Sequence, residues 1–399
     1  MKSSNIISGL TPESKKIFNL ILYNQALTKG TLSGLSGLKL TSLNRAMLPL
    51  EKAGLVVKSQ IGESTGGRKP VLYDVNPSGY YILGIDISRI YTQAVLVNLK
   101  MQIMEKYRFD MDGSSSPEAT LNLVWNWIDN VADKLRKSNE TLLGTGIGAV
   151  GPLDRSSGIL LNPENFEAEG WENVPLKSRF EEKLGIPAVI DNGANAAVLA
   201  ETRYGIARGI KNVIYINCGI GIRTGVFSSG VFVRNINDAE DAFAHMVIDV
   251  NGEKCSCGNR GCIEAYSSLY SIIENYMELK DKAAGGPKHP EQVSYRDICA
   301  AAEAGDPIAV QVIKDSAAVM GNGIANLIKL LNPGMVILSG PLIQNSGLFY
   351  QVCVDTALDK IHMHDTGKIF FSRGGYFDEN VISIGSAAMV LEKFLDNVD

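Results

Sequence analysis

The chain has 399 residues, 45% hydrophobic and 20% charged, which suits an ordinary soluble protein of two or three domains. No apolar run approaches the roughly 18 residues of a membrane span, and the opening MKSSNIISGLTPESKK lacks the apolar stretch of a secretory signal. Six cysteines, three of them clustered, fit a reducing cytoplasm better than a disulfide framework.

The net charge of −5 is unevenly spread. Residues 1–78 hold ten Lys and Arg against four acidic residues, a net +6, which leaves −11 for the remainder. A small basic head on an acidic body is the pattern of a nucleic-acid-binding module fused to something else. Within the head, residues 14–25 place Ile17, Leu20, Ile21 and Asn24 at helical spacing, with Ser14 as candidate cap. A second helix is expected to open at Thr28 and run towards Leu35, with Gly34 and Gly37 supplying a turn. A third puts Leu40, Leu43, Met47 and Leu50 on one apolar stripe and Thr41, Ser42, Asn44 and Arg45 on another face. Pro49 removes an intrahelical bond to the Arg45 carbonyl, so either this helix kinks or its last turn is separate. Base contacts are therefore expected from its N-terminal half.

Gly54-Leu-Val-Val-Lys-Ser and Val71-Leu-Tyr-Asp-Val-Asn read as two strands around a glycine-rich tip carrying Arg68 and Lys69. Those two cations can sit on phosphates or in a minor groove, or merely solvate a loop. Helix stripe, turn and basic hairpin occur in the order of a winged helix-turn-helix, whose recognition helix reads operator DNA in the major groove.

From Tyr81 the text becomes strand-rich. Ile82–Ile87, Thr92–Asn98 and Gln102–Tyr107 read as an antiparallel meander, followed by a helix over 117–138 and a strand from Thr145. The pattern recurs at Asn212–Cys218, Arg223–Phe227 and Val231–Val233. Beyond these, His245, Cys255, Cys257 and Cys262 have the spacing of one closed tetrahedral Zn²⁺ site, which builds structure and leaves no open position for chemistry. Gly258 and Gly261 let the backbone turn tightly between the ligands.

The string from His245 to Glu264 resembles the signature of the ROK family (repressors, open reading frames and sugar kinases), in which Gly-His precedes Cys-x-Cys-Gly-x-x-Gly-Cys-x-Glu. The resemblance extends over essentially the whole chain, and Leu38-Lys-Leu-Thr-Ser-Leu-Asn-Arg45 is similar to the recognition helix of the repressor branch. Kinases of the family lack such a head. The resemblance implies an N-terminal winged helix-turn-helix over residues 1–78 and an α/β actin/hexokinase-like ATPase fold over 79–399. The latter has two lobes, about 79–195 plus the C-terminal helix and about 196–380, with ligands expected in the cleft between them.

Family kinases carry Asp-x-Gly-Gly-Thr in the first phosphate loop; here Asp86 stands, but Ser88, Arg89 and Ile90 fill the Gly-Gly-Thr places. In the second loop Ile220 replaces a hydroxyl and Arg223 a glycine, and near the adenosine site Ser339-Gly340 replaces Gly-Gly. ATP is therefore not an expected cofactor. The proton acceptor of the kinases corresponds to Gly193 in Asp191-Asn192-Gly193, so no catalytic residue is expected. Of the groups that hold the hexose, Asn192, His245 and Glu264 persist as effector-binding candidates, whereas Gly193 and Ala242 replace carboxylates. Asn192 and Glu264 can equally have become local hydrogen-bonding groups.

The leading expectation is a cytoplasmic transcriptional regulator of carbohydrate genes, a repressor acting as a homodimer or dimer of dimers. Its input is a sugar, a sugar phosphate or a protein partner. The rival readings are an ATP-dependent sugar kinase with a fused DNA-binding head, and a partner-binding pseudokinase that never touches DNA.

Overall fold

The computed structural model describes residues 6–61, 70–233, 242–285, 293–361 and 369–395. They divide into two units, Met1–Ala196 with Ile382–Asp399 and Ala197–Val381.

The head opens the first unit. Its helix α1 (Pro12–Asn24) starts with proline, which has no N–H to leave orphaned at a helix start, and is capped by Thr11, whose side chain accepts from the Ser14 N–H. Ser14, expected as the cap, instead lies inside the helix. Its hydroxyl donates to the Ala46 carbonyl at 2.9 Å and ties α1 to a later helix. Strand β1 (Leu27–Thr28) follows, and Thr28 then caps α2 (Lys29–Ser36) by accepting from the Thr31 N–H. Gly37 ends α2 at φ 72°, while Gly34, expected in the turn, lies within the helix. Helix α3 (Leu40–Lys52) continues through Pro49, so its last turn is not separate. Leu43, Ala46, Met47 and Leu50 form its buried face. Leu40 departs from the expected apolar stripe: it is 57% exposed, because the core beneath α3 begins only at Leu43.

Strands β2 (Val56–Ile61) and β3 (Val71–Val75) pair antiparallel, and β1 adds itself to the other edge of β3. Arg68 and Lys69, the expected wing tip, lie outside the described residues.

The rest of the first unit carries β4 (Tyr80–Ile87), β5 (Tyr91–Asn98), β6 (Ile103–Asp110), α4 (Pro117–Lys137), β7 (Thr141–Ala149), the short β8 (Leu153–Asp154) and β9 (Ile159–Leu160), α5 (Leu176–Leu184) and β10 (Ala188–Asn192). Its sheet runs β6-β5-β4-β7-β10, antiparallel in the first three strands and parallel thereafter. Leu83, Ile85, Val124, Ile128 and Phe180 fill one core layer of this sheet.

Helix α6 (Gly193–Arg203) leads into the second unit. There follow β11 (Val213–Cys218), β12 (Ile222–Ser228), β13 (Val231–Phe232), α7 (Glu264–Ser267), α8 (Leu269–Ala284), α9 (Tyr295–Glu303), α10 (Pro307–Leu331), β14 (Met335–Ser339), α11 (Pro341–Asn345), α12 (Gly347–Lys360) and β15 (Phe370–Arg373). Helix α13 (Val381–Phe394) returns to the first unit. The second sheet runs β13-β12-β11-β14-β15 with the same alternation of directions, so the body is the same ββ-β-α-β-α unit used twice.

Helix α13 lies directly on the first sheet, and glycines make this possible. A Cβ on Gly84 would come within 1.9 Å of the Ser383 carbonyl oxygen, and one on Gly146 within 1.6 Å of that of Ser386. The same helix meets the head, where the Tyr23 hydroxyl donates to Glu392. Tyr80 Oη donating to the Ala53 carbonyl (2.5 Å) and the Lys100–Asp74 ion pair (2.6 Å) add further ties.

In the second unit the fully buried Glu201 organises two loops. One oxygen accepts from the Tyr376 N–H (2.8 Å) and the Phe377 N–H (3.3 Å), the other from the Ile206 N–H (3.0 Å). Glu201→Ala removes the shared acceptor of these three backbone N–H groups and should cost about 1–3 kcal/mol in chemical denaturation. Glu201→Gln, which keeps one acceptor, should lose less; equal stability of the alanine variant and the parent would remove this role.

Candidate functional site

The DNA-facing candidates are brought together by α3. Thr41, Ser42, Asn44 and Arg45 are all exposed, because the 3.6-residue period that buries Leu43, Ala46 and Met47 turns the intervening positions outward. Asn44 is oriented by a neighbour that sequence reading did not single out. Lys29 Nζ, at the start of α2, donates to Asn44 Oδ1 at 2.6 Å and lies 5.2 Å from the centre of the Tyr73 ring on β3.

The metal candidates also converge. One ligand atom from each of His245, Cys255, Cys257 and Cys262 lies within 4.8 Å of all the others. Cys257 Sγ is 3.7 Å from Cys262 Sγ, and Cys255 Sγ is 3.7 Å from His245 Nδ1. Tetrahedral Zn–S bonds of about 2.3 Å imply S···S edges of about 3.8 Å, so this donor set fits the ion. The loop is drawn together by the Ile248 N–H donating to Gly261 O (2.8 Å), Gly261 N–H to Glu253 O (2.8 Å) and Cys255 N–H to Asn259 O (2.9 Å). Gly261 has to be glycine here: its φ is +73°, and a Cβ would meet the Asp249 carbonyl at 1.6 Å. Burial and the neighbouring sulfurs push the Cys262 thiol up to about 12, so ion uptake has to displace protons. Nδ1 is the ring nitrogen that faces Cys255 Sγ.

The kinase-like loops are occupied by the protein's own groups. In the first, Ser88 Oγ accepts from the N–H groups of Ile90 (3.4 Å) and Tyr91 (3.1 Å), which in a phosphate cradle would face the anion. Tyr91 Oη donates to Asp86 Oδ2 at 2.8 Å, and the Arg108 guanidinium stacks 3.8 Å from the Tyr91 ring centre. Burial raises Asp86 to about 7, against the lowering effect of the Tyr91 hydroxyl and the Arg108 charge.

At the base position, a Cβ on Gly193 would sit 3.2 Å from Ile382 Cγ2. Asp191 Oδ1 accepts from the Asn192 N–H (2.7 Å) and from Asn195 Nδ2 (2.8 Å). Asn192 Oδ1 in turn accepts from the Ala194 N–H at 2.9 Å, a local capping role at the start of α6.

Asn192 belongs to the first unit, His245 and Glu264 to the second. Glu264 opens α7 just after the metal loop, held there by its N–H donating to Ala244 O at 2.9 Å. Its Oε2 accepts from the Ile222 N–H (2.8 Å) and stands 3.6 Å from Arg223 Nη1. Arg223 thus has a partner in the glutamate, a pairing across 41 residues that the sequence did not show.

The ROK family model matches residues 82–372. The xylose repressor of Bacillus spizizenii is 29% identical over 391 residues, 96% of each chain. The glucokinase of Halalkalibacterium halodurans is 28% identical over 270 residues, 66% of this chain and 81% of that one. Among solved structures, a ROK family transcriptional regulator homologous to the E. coli MLC protein superposes with a TM-score of 0.79 at 23% identity, covering 96% of both chains. The fold is that of such a regulator: a winged helix-turn-helix head on an actin/hexokinase-like body of two lobes.

Proposed function

The chain belongs to the ROK family, and from that premise we propose that it is a DNA-binding transcriptional repressor of carbohydrate genes. The observation that carries this reading is the exposed stripe of Thr41, Ser42, Asn44 and Arg45 on α3, in a head of net charge +6. The match to xylose repressors runs through that head as well as the body. Likeness to glucokinases supports the kinase alternative, but the filled phosphate turn, the Arg223–Glu264 pair and Gly193 argue against turnover.

In this reading the body pairs two copies and senses the input. A single helix-turn-helix binds weakly, and pairing two heads on adjacent half-sites supplies avidity. Zn²⁺ holds the loop that positions Glu264 and takes no part in chemistry. His245 and Glu264 of the second unit are the groups proposed to meet a sugar or sugar phosphate, and Asn192 of the first is a separate effector candidate. Because Glu264 is already bonded, a neutral sugar has to compete with Ile222 and Arg223 for it. A protein partner is the other proposed input. No described helix is long and apolar enough to cross a membrane.

Fluorescence anisotropy on a duplex from the chain's own upstream region tests the repressor reading. Affinity should fall steeply with salt, as phosphate contacts release counterions. Arg45→Ala should weaken binding by roughly 10- to 100-fold. Salt-independent binding, or none at low ionic strength, refutes the reading.

A further inference from the structure

We propose that Leu40 and Asn44 together read the major-groove edge of a thymine, a reading that rests on the DNA-binding function above. Leu40 is the first residue of α3 and is 57% exposed, whereas Leu43, Met47 and Leu50 of the same helix are fully buried. Its side chain therefore contributes little to the head's core. Asn44 lies one turn further along the same face, about 5–6 Å away between Cβ atoms by helix geometry.

The orientation of the Asn44 amide follows from its partner. A lysine ammonium only donates, so the atom 2.6 Å from Lys29 Nζ has to be the amide oxygen. The Nδ2 group then carries the donors left for another molecule. The face thus presents branched methyl groups at its N-terminal end and an N–H donor beside them.

Among the four bases only thymine displays the complement, a C5 methyl next to the O4 acceptor. Guanine offers acceptors without a methyl. Cytosine offers a donor in place of O4, and adenine pairs its N7 acceptor with a donor. A helix-turn-helix enters the groove with the N-terminal residues of its recognition helix, which is where Leu40 and Asn44 stand. The surrounding charge of +6 on residues 1–78 suits the duplex as occupant of this partly apolar face.

The test uses the full chain. A binding duplex is selected from a random pool, and each thymine is then replaced singly by deoxyuridine, which removes the methyl and keeps O4. At the position read by Leu40, deoxyuridine should weaken binding by about fourfold, the worth of one buried methyl. Leu40→Ala should bind the thymine duplex correspondingly less well and be indifferent to deoxyuridine at that position. Asn44→Ala should lose preference for thymine over cytosine there. A thermal melt of each variant, expected to match the parent, separates recognition from folding. Full deoxyuridine sensitivity in Leu40→Ala, or a selected duplex with no methyl dependence, overturns this proposal alone. Failure to bind any duplex at low salt removes both it and the function beneath it.

Discussion

Purified without chelators, the protein should carry one zinc ion per chain, and Cys262→Ser should lose it together with the order of the loop from His245 to Glu264. Cys262 is completely buried and Cys255 is 4% exposed. Three sulfurs and an imidazole lie within 4.8 Å of one another, two of their contacts at 3.7 Å, close to a tetrahedral edge. The loop itself is mostly polar: Asp249, Asn251, Glu253, Lys254, Asn259 and Arg260 cannot form a core. Its backbone hydrogen bonds close a small hairpin, and in the proposed reading a bound cation would hold that hairpin closed. Structural zinc sites in small peptides contribute about 10–16 kcal/mol of apparent binding energy at neutral pH. Even a fraction of that dominates a local unfolding equilibrium. Elemental analysis gives the stoichiometry, and limited proteolysis reports the loop. Cys262→Ser should be cut between residues 249 and 261 under conditions that leave the parent intact. Chelator treatment of the parent should reproduce that pattern, with release of the ion. Full metal content and unchanged protease resistance in Cys262→Ser would sink the assignment.

How much of this could be read from the sequence depended on range. Periodicity along one helix placed Leu43, Met47 and Leu50 in the core and the four polar residues of α3 outside it, since each property is decided within two turns. The cluster of His245, Cys255, Cys257 and Cys262 was legible because its chemistry and spacing are local. Where two residues competed for one local role, pattern alone chose wrongly. Thr11 and Ser14 are both good caps, and the proline at position 12 favours the earlier one. Strand β1 escaped notice because two residues carry no alternation; it exists only because β3 offers an edge. The least legible features were contacts between distant segments. Lys29 on Asn44, Tyr23 on Glu392 and Arg223 on Glu264 each depend on how whole elements pack. Gly84 and Gly146 read simply as strand residues, and the reason for the missing side chains appeared only with α13 lying across them.

Offered ATP and a panel of hexoses, the protein should turn over below roughly 0.1 s⁻¹, against a median near 10 s⁻¹ for enzymes, and Gly193→Asp alone should not rescue it. Loss of a general base by itself lowers rates by about 10²- to 10⁴-fold. Restoring a carboxylate at 193 meets Ile382, whose Cγ2 and Cδ1 lie 3.2 and 3.3 Å from the new Cβ. The Ile382 side chain would have to give by a few tenths of an ångström, or α13 would have to shift. α13 has little freedom to shift, being wedged against Gly84 and Gly146. The phosphate side carries further obstacles in the proposed reading. Ser88 Oγ occupies the N–H groups of its turn, Tyr91 is bonded to Asp86, and Arg223 stands among the glycines of the second loop. Combining Gly193→Asp with Ile382→Ala and Arg223→Gly should therefore raise turnover where each single change does not. That non-additive gain is the expected signature of several obstacles acting on one step. A coupled ADP-release assay decides the matter. Turnover above about 1 s⁻¹ by the parent, or by Gly193→Asp alone, would mean that these loops still cradle a nucleotide. The body would then be an enzyme carrying a DNA-binding head.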